Sequence, residues 1–348
     1  MERTNRAPDI RKLTLEEAQA LMEELGQPSY RAKQLYEWVH KKNVCSFSEM
    51  TNLPLSLRQQ LEELYAIPVP KEIAKQVSSD GSRKYLLQFN DGTAVETVGM
   101  PSGNRLAVCV SSQAGCAMRC SFCATGLSGL TRSLTAQEIV DQVNHVAKDF
   151  DERVTSVVFM GQGEPFNNFD ETVAALRTLN DPDGLAIGAR HLTVSTCGII
   201  PYIKRFSELP EQFTLAISLH SAVQSTRNQL MPGVKKYTLP RLYDAIQDYV
   251  EKTGRRPTYE FAMIEGVNDT NPEMEALVDF CVGTLCHVNL IQLNHISDSP
   301  FKPSPIEKVE SLQKRLEKYG VETTIRNSRG SDIDAACGQL KQRKIGAR

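Results

Sequence analysis

Four cysteines fall within fifteen residues of the stretch CVSSQAGCAMRCSFCATG, residues 109–126. Cys116, Cys120 and Cys123 form a C-x3-C-x2-C group, and Cys109 stands seven positions upstream. Thiolates hold iron–sulfur clusters or zinc, and a structural site of either kind takes four protein ligands. Three cysteines on one short loop, with no fourth cysteine or histidine close by, suggest a [4Fe–4S] cluster with one iron open to a small molecule. Cys109 belongs to the preceding run, RLAVCVSS, where alternation sets it on the face opposite Val108 and Val110. It cannot easily curl back to join the loop's ligands. A zinc-stabilised loop is the alternative.

Such a loop needs a scaffold, and the chain from residue 105 onward has the pattern of one. Short β-branched runs recur: RLAVCVSS, VTSVVFM, HLTVST, FTLAISL, TYEFAMI, HVNLIQL and VETTIR. Amphipathic segments separate them, among them TAQEIVDQVNHVAKDF with a capping box of Thr135 and Glu138. Near-continuous apolar strands with intervening helices predict a parallel sheet with right-handed crossovers. About six βα repeats fall short of a closed eight-fold barrel, so the fold class expected is α/β, a partial (βα)6 TIM-like barrel.

In that architecture the strand C-termini converge on one mouth, where active sites lie. The cysteine triplet follows the first run, and GQGEP (161–165) follows the second. Ser195 ends the third, SLHS (218–221) ends the fourth, Asn294 ends the sixth, and DIDAACGQL with Cys337 follows the last. Any one of these residues reads more simply as a cap, a turn or a wall group. Their coincidence on one rim points to a site.

The front of the chain differs. Thr14 and Glu17 form a capping box ahead of Ala18, Leu21, Met22 and Leu25 at helical spacing, a second helix is expected from Tyr30, and residues 71–100 alternate around SDGS and NDG turns. The chain thus divides into a helical unit (1–68), a β-meander linking region (69–104) and the barrel with its C-terminal loop (105–348). At 348 residues, 41% hydrophobic and 24% charged, it is ordinary globular material. A polar N-terminus and the lack of any long apolar run lead to the expectation of a soluble cytoplasmic protein. The net charge of −2 gives no global sign of a polyanionic partner.

The triplet after a first barrel strand, with a GEP segment after the second, resembles the radical S-adenosylmethionine superfamily. In that family the open iron chelates S-adenosylmethionine and an electron cleaves it to a 5′-deoxyadenosyl radical. The segments VETV, CVSSQAGCAMRCSFCATG, MGQGEP, LTVSTCGIIP, AISLHSA, GVNDT and RGSDIDAACGQL, with SYRAKQLYEWV at the front, further resemble the RlmN/Cfr family of RNA adenosine methyltransferases. The resemblance implies cluster ligation by Cys116, Cys120 and Cys123. It implies S-adenosylmethionine contacts from Gly163, Glu164, Ser195, Ser218, Leu219, His220 and Asn294. Cys337 matches the methyl-carrying cysteine, Cys109 the thiol that resolves it through a disulfide, and Glu96 the proton acceptor.

Those residue types suit the chemistry. Adenine C2 and C8 are not nucleophilic, so a one-electron route is required, with one S-adenosylmethionine methylating Cys337 and a second generating the radical. The resemblance implies an RNA substrate, at C2 of an adenosine in 23S rRNA and in tRNA beside the anticodon. It also implies an electron donor such as flavodoxin or ferredoxin and a monomer. The helical unit would bind RNA, with Arg31, Lys33, Lys41 and Lys42 for phosphate and Tyr36 and Trp38 as stacking groups, though Trp38 is spaced like a core residue. GEP matches the C2 branch, but Gln162 replaces a usual methionine and NHISDSPFKPS replaces a proline-rich loop. C8 methylation, another RNA target and a non-catalytic zinc-stabilised RNA-binding module are the alternatives.

Overall fold

The computed structural model describes residues 7–294, 299–326, 328–333 and 339. Three antiparallel strands open the sheet: β1 (Lys71–Val77), β2 (Arg83–Gln88) and β3 (Ala94–Ser102). β4 (Arg105–Cys109) pairs antiparallel with β3, and a small hairpin follows it, β5 (Gln113–Gly115) with β6 (Leu130–Ser133). The remaining strands are β7 (Val154–Phe159), β8 (Leu192–Thr196), β9 (Thr214–Ser218), β10 (Thr258–Met263), β11 (His287–Gln292) and β12 (Glu322–Arg326). From β4 through β7 to β12 every neighbouring pair is parallel. These are the seven runs read from the sequence, and the sheet they form is open.

Helices α1 (Leu15–Glu24), α2 (Tyr30–His40) and α3 (Leu55–Leu64) make the front unit, and α4 (Ala124–Ser128) follows the cysteine loop. The crossovers are α5 (Ala136–Phe150), α6 (Phe169–Asn180), α7 (Ile200–Ser207), α8 (Gln224–Leu230) with α9 (Leu239–Thr253), α10 (Asn271–Cys281) and α11 (Ile306–Lys318). Both expected capping boxes form, at Thr14/Glu17 and Thr135/Glu138.

Strand alternation sorts the barrel into two faces. Val108, Val157, Phe159, Val194, Ile217, Phe261 and Leu290 face the helices in one continuous core. Each contributes about 1.5–3 kcal/mol by full burial. Following the register across the sheet, the opposite face carries Cys109, Ser195, Ser218, Glu260, Asn289 and Arg326. Polar groups therefore line the barrel's inside because the other side of each strand has already been spent on the helices.

The helical unit has its own core, built on Ile10, Met22, Leu35, Phe47 and Leu57. Arg11 docks it on the barrel, its Nη1 donating to Asp141 on α5 and its Nη2 to Asp9 at 2.8 Å. Tyr36 is also docked: its hydroxyl donates to Asp181 at 2.6 Å, so it belongs to the contact between the helical unit and the barrel. Trp38 packs against the helical core beneath Lys42, whose Nζ is 3.8 Å from the ring centroid. The meander does more than link. Hydrogen-bonded to β4, it extends the barrel sheet by three strands.

Candidate active site

The cysteine loop leaves the end of β5 and returns through α4 to β6. Gly115 makes the turn possible: its φ is +77°, and a Cβ there would lie 1.9 Å from the carbonyl oxygen of Gly129. Cys116 N–H donates to that same carbonyl at 2.9 Å. The far side of the loop is braced by the segment after α8. Ser121 N–H donates to Leu230 O at 2.9 Å and Gly233 N–H to Met118 O at 3.0 Å, a contact so close that a Cβ at Gly233 would meet Met118 O at 2.6 Å. No local pattern signals this brace or the β5–β6 hairpin, because both depend on long-range approach of backbone to backbone.

One cavity is lined by all three loop cysteines together with Gly163, Glu164, Ser195, Ser218, His220 and Asn294. Apolar walls come from Met118, Phe122, Ala262, Ile291 and Leu293. Of the expected S-adenosylmethionine contacts, only Leu219 is absent from the lining; its side chain lies in the helix-facing core. Gly163 has φ +102° and would drive a Cβ to 2.6 Å from Gln113, so the 161–165 loop can pass there only as glycine. Glu164 is buried, and its two oxygens accept from Phe166 N–H at 2.9 Å and Cys197 N–H at 2.7 Å. Burial raises its pKa, and those donors oppose the shift. The carboxyl thus ties the loop after β7 to the end of β8. Ser195 and Ser218, on adjacent strand ends, have their hydroxyls 3.2 Å apart.

His220 is held neutral. It is buried with φ +56°, its Nδ1 accepts from Ala262 N–H at 3.0 Å, and its ring meets Phe122 edge-on at 4.7 Å. Burial, aided by Arg227, pushes its pKa down to about 3. With Nδ1 accepting, the ring proton is on Nε2. S-adenosylmethionine binding, measured by calorimetry between about pH 5 and 8, is therefore expected to show no histidine step. A step near the ordinary 6.5 that disappears in His220→Gln would contradict the neutral ring.

The donor set fits an iron–sulfur cluster. Cys116 and Cys120 are buried, and Met118 N–H donates to Cys116 Sγ at 3.5 Å. Backbone N–H groups of Gly126 and Thr125 face Cys123. Burial pushes the Cys116 thiol up to about 12 and Cys123 to about 11, so these groups stay protonated until a metal supplies the charge. Among the described residues no three His, Cys, Asp or Glu side chains close on a single-ion site, as structural zinc would need. Cys197, placed on the rim by its sequence position, proves to line the cavity, and hydrogen bonding with Cys120 and burial push its thiol well up.

Two further groups were missed. Glu260, buried on β10, lines the cavity; it accepts from Asn289 at 2.9 Å and lies 3.6 Å from Arg326. An acid at an inward position of an otherwise apolar strand is the signal that could have found it. Arg227, on α8, is fully buried and donates to Cys197 O at 2.7 Å.

The other catalytic expectations lie next door. Cys109 packs against Val98, as Met100 and Ile333 do, and Glu96, one turn of the β3 pleat from Val98, is buried with Lys84 Nζ 3.3 Å from its Oε1. Cys337 lies outside the described residues. The short helical turn Ser331–Ile333 just before it is held by the β1–β2 turn: Asp332 accepts from Ser78 Oγ at 2.5 Å and Ser79 N–H at 3.0 Å, and Gly330 N–H donates to Asp80 at 3.1 Å.

Known proteins match this arrangement. Residues 110–281 match the radical SAM superfamily, and residues 9–67 match the ribosomal RNA large subunit methyltransferase N-terminal domain. A protein of Geobacillus kaustophilus named probable dual-specificity RNA methyltransferase RlmN is 45% identical over 97% of this chain and 93% of its own. One of the same name from Alkaliphilus oremlandii is 44% identical over 97% and 98%. The crystal structure of a radical SAM methyltransferase from Sphaerobacter thermophilus is 40% identical, with a TM-score of 0.91 over 96% of this chain and 99% of that one. A non-catalytic zinc module is thereby set aside, and a [4Fe–4S] cluster and S-adenosylmethionine follow from the superfamily. The chain belongs to the RlmN family of radical S-adenosylmethionine RNA methyltransferases.

Proposed function

We propose that the chain methylates C2 of adenosine in RNA, at the peptidyl-transferase region of 23S rRNA and at the tRNA adenosine beside the anticodon. The dual specificity in its relatives' names is read as these two RNA classes. Cys116, Cys120 and Cys123 hold the cluster. Gly163, Glu164, Ser195, Ser218, His220 and Asn294 hold S-adenosylmethionine, with Leu219 contributing through its backbone. Together the bound groups supply the one-electron chemistry that an adenine carbon demands. Cys337 carries the methyl group to the base, Cys109 resolves the resulting thioether by forming a disulfide, and Glu96 accepts the ring proton. Two S-adenosylmethionine molecules are spent per turnover, and the enzyme works as a cytoplasmic monomer fed by a flavodoxin or ferredoxin. Residues 1–68 serve as the RNA-binding unit, 69–104 as the strand extension that anchors the C-terminal loop, and 105–348 as the catalytic barrel.

The observation that carries this reading is that Cys109 and Ile333, the latter four positions before Cys337, pack against the same residue, Val98. It brings the segment that precedes Cys337 to the strand that ends in Cys109, although the two are far apart in sequence, and this supports the two-thiol reading. The test is mass spectrometry of nuclease-digested RNA after anaerobic reaction with reductant. 2-Methyladenosine is expected; 8-methyladenosine in its place would move the chain to the C8 branch. The anchor has its own test. Asp332→Ala removes two hydrogen bonds from the loop and is expected to slow single-turnover methylation on the order of tenfold, with iron content unchanged. An unaltered rate would mean that the anchor is dispensable.

A further inference from the structure

Arg227 is 1% exposed and heads the fully buried side chains by volume. Its Nη2 donates to Cys197 O at 2.7 Å and reaches Ser218 O at 3.5 Å, while Nε and Nη1 are buried with no hydrogen-bond partner. Arginine does not lose its proton in proteins, and a buried charge left without a counter-charge is costly. Burial works against the charged form here, and the groups that oppose this are the thiols of Cys197 and Cys120. Glu164, the nearby buried carboxyl of the cavity, is committed to Phe166 and Cys197 N–H. The guanidinium is thus fixed to Cys197, which lines the cavity together with the cysteine triplet, on the helix whose end braces the cysteine loop through Leu230 O. A permanent cation in such a place calls for a resident anion.

We propose that Arg227 is the counter-charge of the iron–sulfur cluster, a positioning residue that favours the reduced cluster and so raises its reduction potential. This rests on the ligation reading for Cys116, Cys120 and Cys123. Three thiolates outweigh the charge of an oxidised cluster core, so the assembly is anionic and becomes more so on taking an electron. A fixed cation beside it therefore stabilises the reduced form more than the oxidised one. The step favoured is transfer of one electron from a low-potential donor, flavodoxin or ferredoxin in class; the donor is oxidised, the cluster is reduced, and no bond forms or breaks. The same side chain pins Cys197 O and approaches Ser218 O, which holds the charge in place against two residues that line the cavity.

The test is a potentiometric titration of the anaerobically reconstituted full chain, followed by electron paramagnetic resonance of the reduced cluster. Arg227→Gln and Arg227→Met are expected to shift the midpoint to more negative potential by at least a tenfold change in the reduction equilibrium, 59 mV for a one-electron couple. Arg227→Lys, which restores the charge, is expected to titrate close to wild type. If Arg227→Met does not fold, Arg227→Gln decides the matter, since its amide can still donate to the Cys197 carbonyl. A glutamine variant with full iron and sulfide and an unshifted midpoint would overturn the inference. So would a lysine variant shifted as far as the glutamine one, which would mean that guanidinium geometry rather than charge matters. A wild-type chain that takes up no four-iron cluster would overturn the ligation reading and this inference with it; shifted variants of a loaded wild type support both.

Discussion

A Cys337→Ala chain loses RNA methylation on the order of 10³-fold or more while keeping its iron, its sulfide and its affinity for S-adenosylmethionine: that is the expected result, and it is measured by mass spectrometry of digested RNA beside metal and sulfide assays. The size of the loss follows from the substrate. Neither C2 nor C8 of adenine is nucleophilic, so a methyl group cannot reach it by displacement, and on the proposed reading it is carried to the ring on the Cys337 sulfur. The remaining thiols near the site cannot take over. Cys116, Cys120 and Cys123, the proposed cluster ligands, line the cavity on one braced loop, and Cys197 has its backbone pinned by Glu164 and Arg227. Cys109 is set into strand β4. On the proposed reading the carrier thiol serves base and partner in turn, and Cys337 lies five positions after Asp332, which is held by Ser78 and Ser79. Full-rate methylation by the alanine variant would end the two-thiol reading; loss of iron along with activity would make Cys337 a structural residue instead.

The parts of this site that were legible in the sequence are those that local pattern encodes. Alternation placed Cys109 opposite Val108 and Val110, and in the structure the two valines lie in the helix-facing core while Cys109 packs against Val98, as Ile333 does. Six crossovers could be read because each strand is apolar on its helix side, and several strand ends because they stop at a small polar residue, as β8 does at Thr196 and β9 at Ser218. The parts that could not be read are those whose partners lie far along the chain. Glu260 and Arg326 meet across β10, β11 and β12; Ser78 meets Asp332; Tyr36 meets Asp181. Periodicity reports which face a residue takes and says nothing about what stands opposite. Arg227 is the extreme case. It lies in QSTRNQL, a segment whose composition suggests a solvated helix, yet the fold buries it completely because α8 lies against the ends of β8 and β9.

The division of the four clustered cysteines into two sites makes its sharpest prediction at Cys109. A Cys109→Ala chain is expected to run the reaction as far as the covalent joining of Cys337 to the base and then stop, so that RNA stays attached to the protein on a denaturing gel. Substituting this residue costs little elsewhere: it is half-buried, and losing one sulfur from a small apolar cluster destabilises by about 1 kcal/mol. It lines no part of the cavity described above, so the cluster ligands and the S-adenosylmethionine contacts are untouched. What disappears is the nucleophile that must reach the Cys337 sulfur, and no other thiol among the described residues belongs to the Cys109–Ile333 cluster. The adduct should therefore approach one RNA per protein, where the wild type, which turns over, leaves almost none. Digestion should release a peptide containing Cys337 with an adenosine attached through one added carbon. If Cys109→Ala turned over freely, the resolving thiol would have to be another; if it made neither adduct nor product, Cys109 would act before the RNA is joined. Because Cys109 ends β4, paired with β3 and β7 just ahead of the cysteine loop, its nearness in sequence to the proposed cluster ligands is a consequence of strand order, and the two-site reading assigns its chemistry to the segment after Ile333, which packs with it on Val98.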